Sequence, residues 1–141
     1  MYKHILLPID LDEKEQMTLQ PAIDHAKAFG AQLHVMMVVP DFRMSIVSQY
    51  FPSSSDERII AGAHEALKAF TKQHIPGDIP VQHIVGQGTV YEVIIETAKK
   101  IDADLIIMGA HRPDLKDYLL GPNAARVVRH SDKTVLVVRE Q

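Results

Sequence analysis

The chain has 141 residues, 46% of them apolar, with 15 Lys and Arg against 18 Asp and Glu, a net charge of −3 and no cysteine. That length suits one domain able to bury about 70% of its unfolded surface, and the balanced charge argues against disorder and against the basic surface that gives nucleic acid its grip. Without cysteine there is no disulfide framework, no thiolate zinc site and no thiol nucleophile.

The first apolar run is Ile5–Ile9, followed by Asp10. Pro8 and Asp10 interrupt it too early for a secretory h-region. No run approaches the ~18 apolar residues of a membrane span, so a soluble, cytoplasmic protein without membrane contact is expected. A helix follows, with Leu19, Ala22, Ile23, Ala26 and Phe29 at helical spacing, Thr18 as cap, Pro21 in the first turn and Gly30 as its stop. Leu33–Val39 is the second strand. The stretch from Pro40 to Pro52 is long and apolar for a loop, fitting a lid or a partner surface as well as a simple cover for the core. Ser54-Ser55-Asp56-Glu57 forms a capping box for a second helix, on which Ile60, Ala63, Leu67 and Phe70 share a face.

Val81–Val85 mixes polar and apolar residues, which suits an edge strand. Gly86-Gln87-Gly88 imitates a dinucleotide fingerprint, but position 91 is Tyr rather than the third glycine, so it reads as a tight turn. Thr89-Val90-Tyr91-Glu92 is a second capping box, and Val90, Ile94, Ala98 and Ile101 form one stripe of a third helix. Leu105–Met108 is the fourth strand. A fourth helix starts at Gly121-Pro122 with proline at its first position and runs to about His130, and Val135–Val138 is the last strand.

Five β-branched runs alternating with helices describe a single-domain α/β fold over residues 1–141: an open, doubly wound, Rossmann-like sheet of five parallel strands with helices on both faces. Strand order 3-2-1-4-5 places the first and fourth strands side by side, with a crevice at their carboxyl ends. Ile9, Asp10 and Leu11 stand at one tip; Gly109, Ala110, His111 and Arg112 stand at the other. A glycine at a strand exit, an arginine and the amino end of a helix together suit an anion. The same residues equally describe two loop glycines and a helix cap. Asp10 is likewise either an acceptor for a ligand hydroxyl or the residue that orders the turn after the first strand.

Hydrolytic and metal chemistry find no footing. No Walker P-loop, G-x-S-x-G elbow or HExxH occurs, and the eight histidines are scattered, most reading as surface or half-buried residues with no metal site and only His111 standing near the crevice.

The run Gly109-x-x-Arg112, eight residues, then Gly121-Pro122-Asn123-Ala124-Ala125-Arg126 and Thr134–Arg139 resembles the C-terminal signature of the universal stress protein family. Tyr2–Asp10, with its Pro-x-Asp exit, and Gly88–Ile94 are similar to that family's first strand and third-helix entry. His111-Arg112-Pro113 resembles one subgroup. The resemblance implies a universal stress protein domain that binds ATP or AMP, with or without Mg²⁺, as a regulatory module in stress response rather than as an enzyme. It places adenine near Asp10 and Val38 or Val39, and ribose and phosphates along Met108, Gly109, His111, Arg112, Gly121, Pro122 and Asn123, with Pro8, Ile9 and Ala124 beside them. It further implies a homodimer through Thr134–Val138 and leaves room for a regulatory protein partner. The chain departs from the family's loop at Arg112, where a glycine is usual, in a spacer one residue short, and at Pro122, where Ser or Thr is usual. These departures keep two further readings in view: an ATP-independent interaction module, and a slow ATPase with Asp10 and His111 as its candidate residues.

Overall fold

The computed structural model describes residues 1–13, 16–39, 54–110 and 120–139, with the backbone alone at 54–56. Five strands, β1 (His4–Pro8), β2 (Gln32–Val39), β3 (Val81–Gln87), β4 (Leu105–Gly109) and β5 (Thr134–Val138), alternate with α1 (Leu19–Phe29), α2 (Ser54–His74), α3 (Val90–Lys100) and α4 (Pro122–His130). All neighbouring strands pair in parallel and the order is β3-β2-β1-β4-β5, the doubly wound order expected above.

Side chains alternate across each strand, which divides the core in two. Ile5, Leu7, Leu33, Val35, Leu105 and Ile107 pack with Ala22, Ile23 and Ala26 of α1 and Leu67 of α2. Leu6, Met36, Ile106 and Met108 pack with Ile94 and Ala98 of α3 and Ala124 and Val127 of α4. The central strands are buried on both faces, which is why they read as continuous apolar runs. At the foot of the sheet the Asp104 carboxylate accepts from the Lys3 and His4 backbone N–H groups at 2.9 and 3.1 Å, fastening the start of β1 beside β4.

Helix ends differ from expectation in their chemistry. Gly30 stops α1 in the left-handed region at φ 63° and bonds back to the Ala26 carbonyl, as foreseen. Thr18 holds the N-cap position but makes no cap bond: its backbone is helical at φ −84°, ψ −15°, its side chain is buried, and a cap normally needs an extended residue. Thr89 is extended at φ −75°, ψ 126° yet also makes no side-chain cap bond, and Glu92 instead accepts from the Tyr91 hydroxyl at 3.2 Å. Neither half of that capping box closes. α2 begins at Ser54, as the capping box there predicts, but the side chains at 54–56 and the segment from Pro40 to Ser53 lie outside the described residues.

One histidine is a core residue rather than a surface one. His34 is 4% exposed; its Nδ1 donates to the Gln82 side-chain oxygen and its Nε2 lies 3.0 Å from His4 Nδ1. Burial pushes its pKa below the usual 6.5, His4 adds to that, and Gln82 and Asp104 oppose it.

Candidate ligand-binding site

The sheet opens between its two central strands. The β1–β2 ladder pairs five positions, up to Pro8 with Met36, and the β4–β5 ladder pairs five, up to Gly109 with Val138. Between β1 and β4 only Ile5 with Leu105 and Leu6 with Ile106 are paired. The cause is covalent. Ile9 N–H donates to the Met36 carbonyl of β2, so its neighbour Pro8 faces β4, and proline has no N–H to give.

Above that stop lies a cavity of about 630 Å³, within the range of small-molecule sites. Of the residues singled out from the sequence, Pro8, Ile9, Asp10, Val38, Met108, Gly109, Gly121, Pro122 and Asn123 line it. Val39 does not: it is buried, and its carbonyl accepts the Gly88 N–H at 3.1 Å. Ala124 does not line the cavity either; its side chain is buried in the α3–α4 core. His111 and Arg112 lie outside the described residues, as does the His-Arg-Pro loop.

Asp10 performs the turn role directly. One carboxylate oxygen accepts the Asp12 N–H at 2.9 Å, an Asx-turn. Its carbonyl accepts from Gln16 Nε2 at 2.7 Å and from the Glu13 N–H at 3.2 Å. The chain's own groups thus hold the turn at residues 10–13, and Asp10 borders the cavity as well. Gly109 also serves packing: a Cβ there would stand 3.1 Å from Met17 Cε and 3.6 Å from Thr18 Cγ2, so its missing side chain lets the start of α1 sit against the tip of β4.

The amino end of α4 supplies fewer donors than a helix start normally offers. Gly121 N–H is already bonded to the Ala110 carbonyl at 3.2 Å, and Ala125 N–H returns to the Gly121 carbonyl at 3.0 Å. Pro122 has no N–H. The first-turn groups left without an intrahelical acceptor are the N–H groups of Asn123 and Ala124, with the helix dipole behind them. The cavity is thus polarised, with Asp10, Asp12 and Glu13 on the β1–α1 connection and the positive end of α4 on the other strand's side.

Sequence reasoning overlooked Asp12, Glu13, Gln16, Met17 and Thr18, all in the lining, together with Met36, Met37, Val90 and Ile94. For the first five a signal existed: they follow the carboxyl end of β1, where an open α/β sheet puts its ligands. Among the described residues no group of three or more His, Asp or Glu is placed to hold a metal ion, and no helix is long and apolar enough to cross a membrane.

Comparison with known proteins agrees with this architecture. The model of the Universal stress protein family matches residues 1–139. Universal stress protein G of Salmonella typhimurium is 30% identical, the alignment covering 99% of this chain and 100% of that one. Universal stress protein MJ0577 of Methanocaldococcus jannaschii is 28% identical, covering 100% of this chain and 97% of its own. The solved structure of MJ0577 superposes with a TM-score of 0.76, covering 100% of this chain and 98% of its own. A universal stress protein solved in complex with cAMP has the same fold, with a TM-score of 0.64 at 22% identity, covering 99% of this chain and 98% of its own.

Proposed function

The chain belongs to the universal stress protein family, and from that footing we propose that its cavity takes an adenine nucleotide, ATP or AMP, and that occupancy changes a surface read by a regulatory partner in the cytoplasm during stress. The observation that carries this reading is the polarised cavity of about 630 Å³ at the Pro8 break between β1 and β4. Its acidic side suits the hydroxyls of a ribose, which donate to carboxylates. Its α4 side suits phosphate oxygens, which the N–H groups of Asn123 and Ala124 would meet. The cAMP bound by another protein of this fold is in keeping with the chemistry but supplies no residue assignment here. The module is non-catalytic in this reading, and any Mg²⁺ arrives on the phosphates rather than in a protein cage. The proposed assembly is a homodimer through β5.

Calorimetric titration of dialysed protein with ATP, AMP and adenosine tests the reading. Saturable heat with the nucleotides, and weaker binding of adenosine, is expected. Absence of heat at millimolar nucleotide with the fold intact removes it. One observation favours a second reading, that of an ATP-independent interaction module: Pro122 and the engaged Gly121 N–H subtract two phosphate donors from the helix start. That module would leave the cells with its cavity empty, which mass spectrometry of small molecules released from native protein would register.

A further inference from the structure

We propose that the cavity is a peroxide-sensitive site, closed to its nucleotide when Met17 and Met37 are oxidised to sulfoxides; the inference rests on the nucleotide reading above. The chain has six methionines and no cysteine, so its sulfur chemistry is that of thioethers alone. Four of the six, Met17, Met36, Met37 and Met108, line this one cavity. Met36 and Met108 are 0% and 7% exposed and are shielded in the α3–α4 core. Met17 and Met37 are half-buried, and exposure governs how readily a methionine meets a soluble oxidant.

The step is a two-electron oxygen transfer. A lone pair of the thioether sulfur attacks one oxygen of hydrogen peroxide, the O–O bond breaks, an S–O bond forms, and the second oxygen leaves as water after the proton shift. Sulfur is oxidised and peroxide is reduced. The consequence is local: a soft apolar wall becomes a strong dipole. Met17 has little room toward β4, because its methyl already stands 3.1 Å from where a Cβ on Gly109 would be. An added oxygen on the neighbouring sulfur enlarges a side chain that already packs on the tip of β4 and forms part of the cavity wall. There the larger, strongly dipolar sulfoxide takes up space on the side of the cavity where the ribose would lie, beside Asp10.

The experiment treats the full chain with hydrogen peroxide, removes the excess, and maps oxygen uptake on each methionine by peptide mass spectrometry. Nucleotide titration and circular dichroism follow on the same sample. Sulfoxide at Met17 and Met37 is expected, with Met36 and Met108 lagging, native dichroism, and nucleotide affinity about tenfold weaker or worse. Methionine sulfoxide reductases should restore it. In the Met17→Leu/Met37→Leu double variant the ratio of treated to untreated affinity should stay near unity, whatever its untreated value. The proposal is overturned if the wild type carries both sulfoxides with unaltered affinity. It is equally overturned if Met17 and Met37 resist peroxide that oxidises the exposed Met1, if the double variant loses binding to the same degree, or if the loss follows unfolding. Untreated wild type that gives no heat removes the nucleotide reading itself, and this proposal with it.

Discussion

Gly86 lies where α3 comes down on β3, and a Cβ there would stand 2.3 Å from Val93 Cγ1. Val93 is branched and has no long flexible end to swing aside, so Gly86→Ala forces helix and strand apart. A loss of about 1–3 kcal/mol in urea unfolding is expected; an unchanged midpoint would mean that α3 is free to shift. His34 makes a different kind of demand. Gln82 accepts its Nδ1 proton, so in the neutral ring Nε2 is left to accept from His4. Burial is the first cause holding the His34 pKa low, with His4 adding while Gln82 and Asp104 oppose. The sign follows: between the lowered folded value and the usual 6.5 the unfolded chain binds more protons. Stability is then complete above about pH 6.5 and falls as pH drops, by up to about 1.4 kcal/mol per pH unit for one such group. His83, lowered by burial and by Lys68 and His64, contributes in the same direction. Urea midpoints at pH 8 and pH 5.5 should separate, and His34→Gln should narrow but not abolish the gap, as His83 remains. A gap as wide in the variant would take His34 out of the account.

Among elements, the β1–β4 junction decides where a ligand can go. Asp104 fastens its foot through the Lys3 and His4 N–H groups, two pairs close above it, and Pro8 ends it. In register, a residue at 8 with an N–H would donate to the Ile107 carbonyl, the bond that continues a parallel ladder. Pro8→Ala supplies that donor, so its new amide should be protected from hydrogen exchange about 100-fold or more over an unstructured one. Exchange at the unstructured rate would show that something besides the missing N–H holds the tips open. Strands and helices were legible because each depends on a pattern spread over many residues, β-branched runs and helical stripes; their alternation pointed to a parallel sheet, and the strand order was that of a doubly wound arrangement. Pro8 was legible too, as the Pro-x-Asp exit, although its effect on the ladder emerges only once Ile9 is seen to bond β2. The side-chain bonds at the helix N-caps were not legible. Thr18 is drawn into packing beside Gly109 and Glu92 is engaged by Tyr91, and such tertiary competition leaves no mark on a four-residue motif. Val39 stays out of the cavity lining, buried and with its carbonyl held by the Gly88 N–H, a tertiary bond that a run of β-branched residues does not announce.

For the molecule as a whole, the open question is what covers the edge of β5. Thr134–Val138 pairs β4 on one side and Val135, Leu136, Val137 and Val138 are half-buried, so the other side offers a short apolar edge of the kind proteins usually shield. The proposed homodimer shields it with a second copy. Backbone direction makes this testable one residue at a time. Ala110 N–H donates to the Val138 carbonyl at 2.8 Å, so Val138, Leu136 and Thr134 direct their backbone groups to β4. Val135 and Val137 direct theirs outward. Val137→Pro removes an outward N–H while leaving the β4 ladder its donors, the one place where an edge strand tolerates proline. Leu136→Pro removes an inward one and should lower stability by about 1–3 kcal/mol. Light scattering should report twice the 15.8 kDa chain mass for the wild type and the single-chain mass for Val137→Pro, with native dichroism in both. A wild type that runs as a monomer, or a Val137→Pro variant that stays paired, would mean that β5 is not the surface two copies share. Nucleotide titration of the Val137→Pro monomer then separates the two levels: the cavity is built within one chain, so binding should survive the loss of the partner.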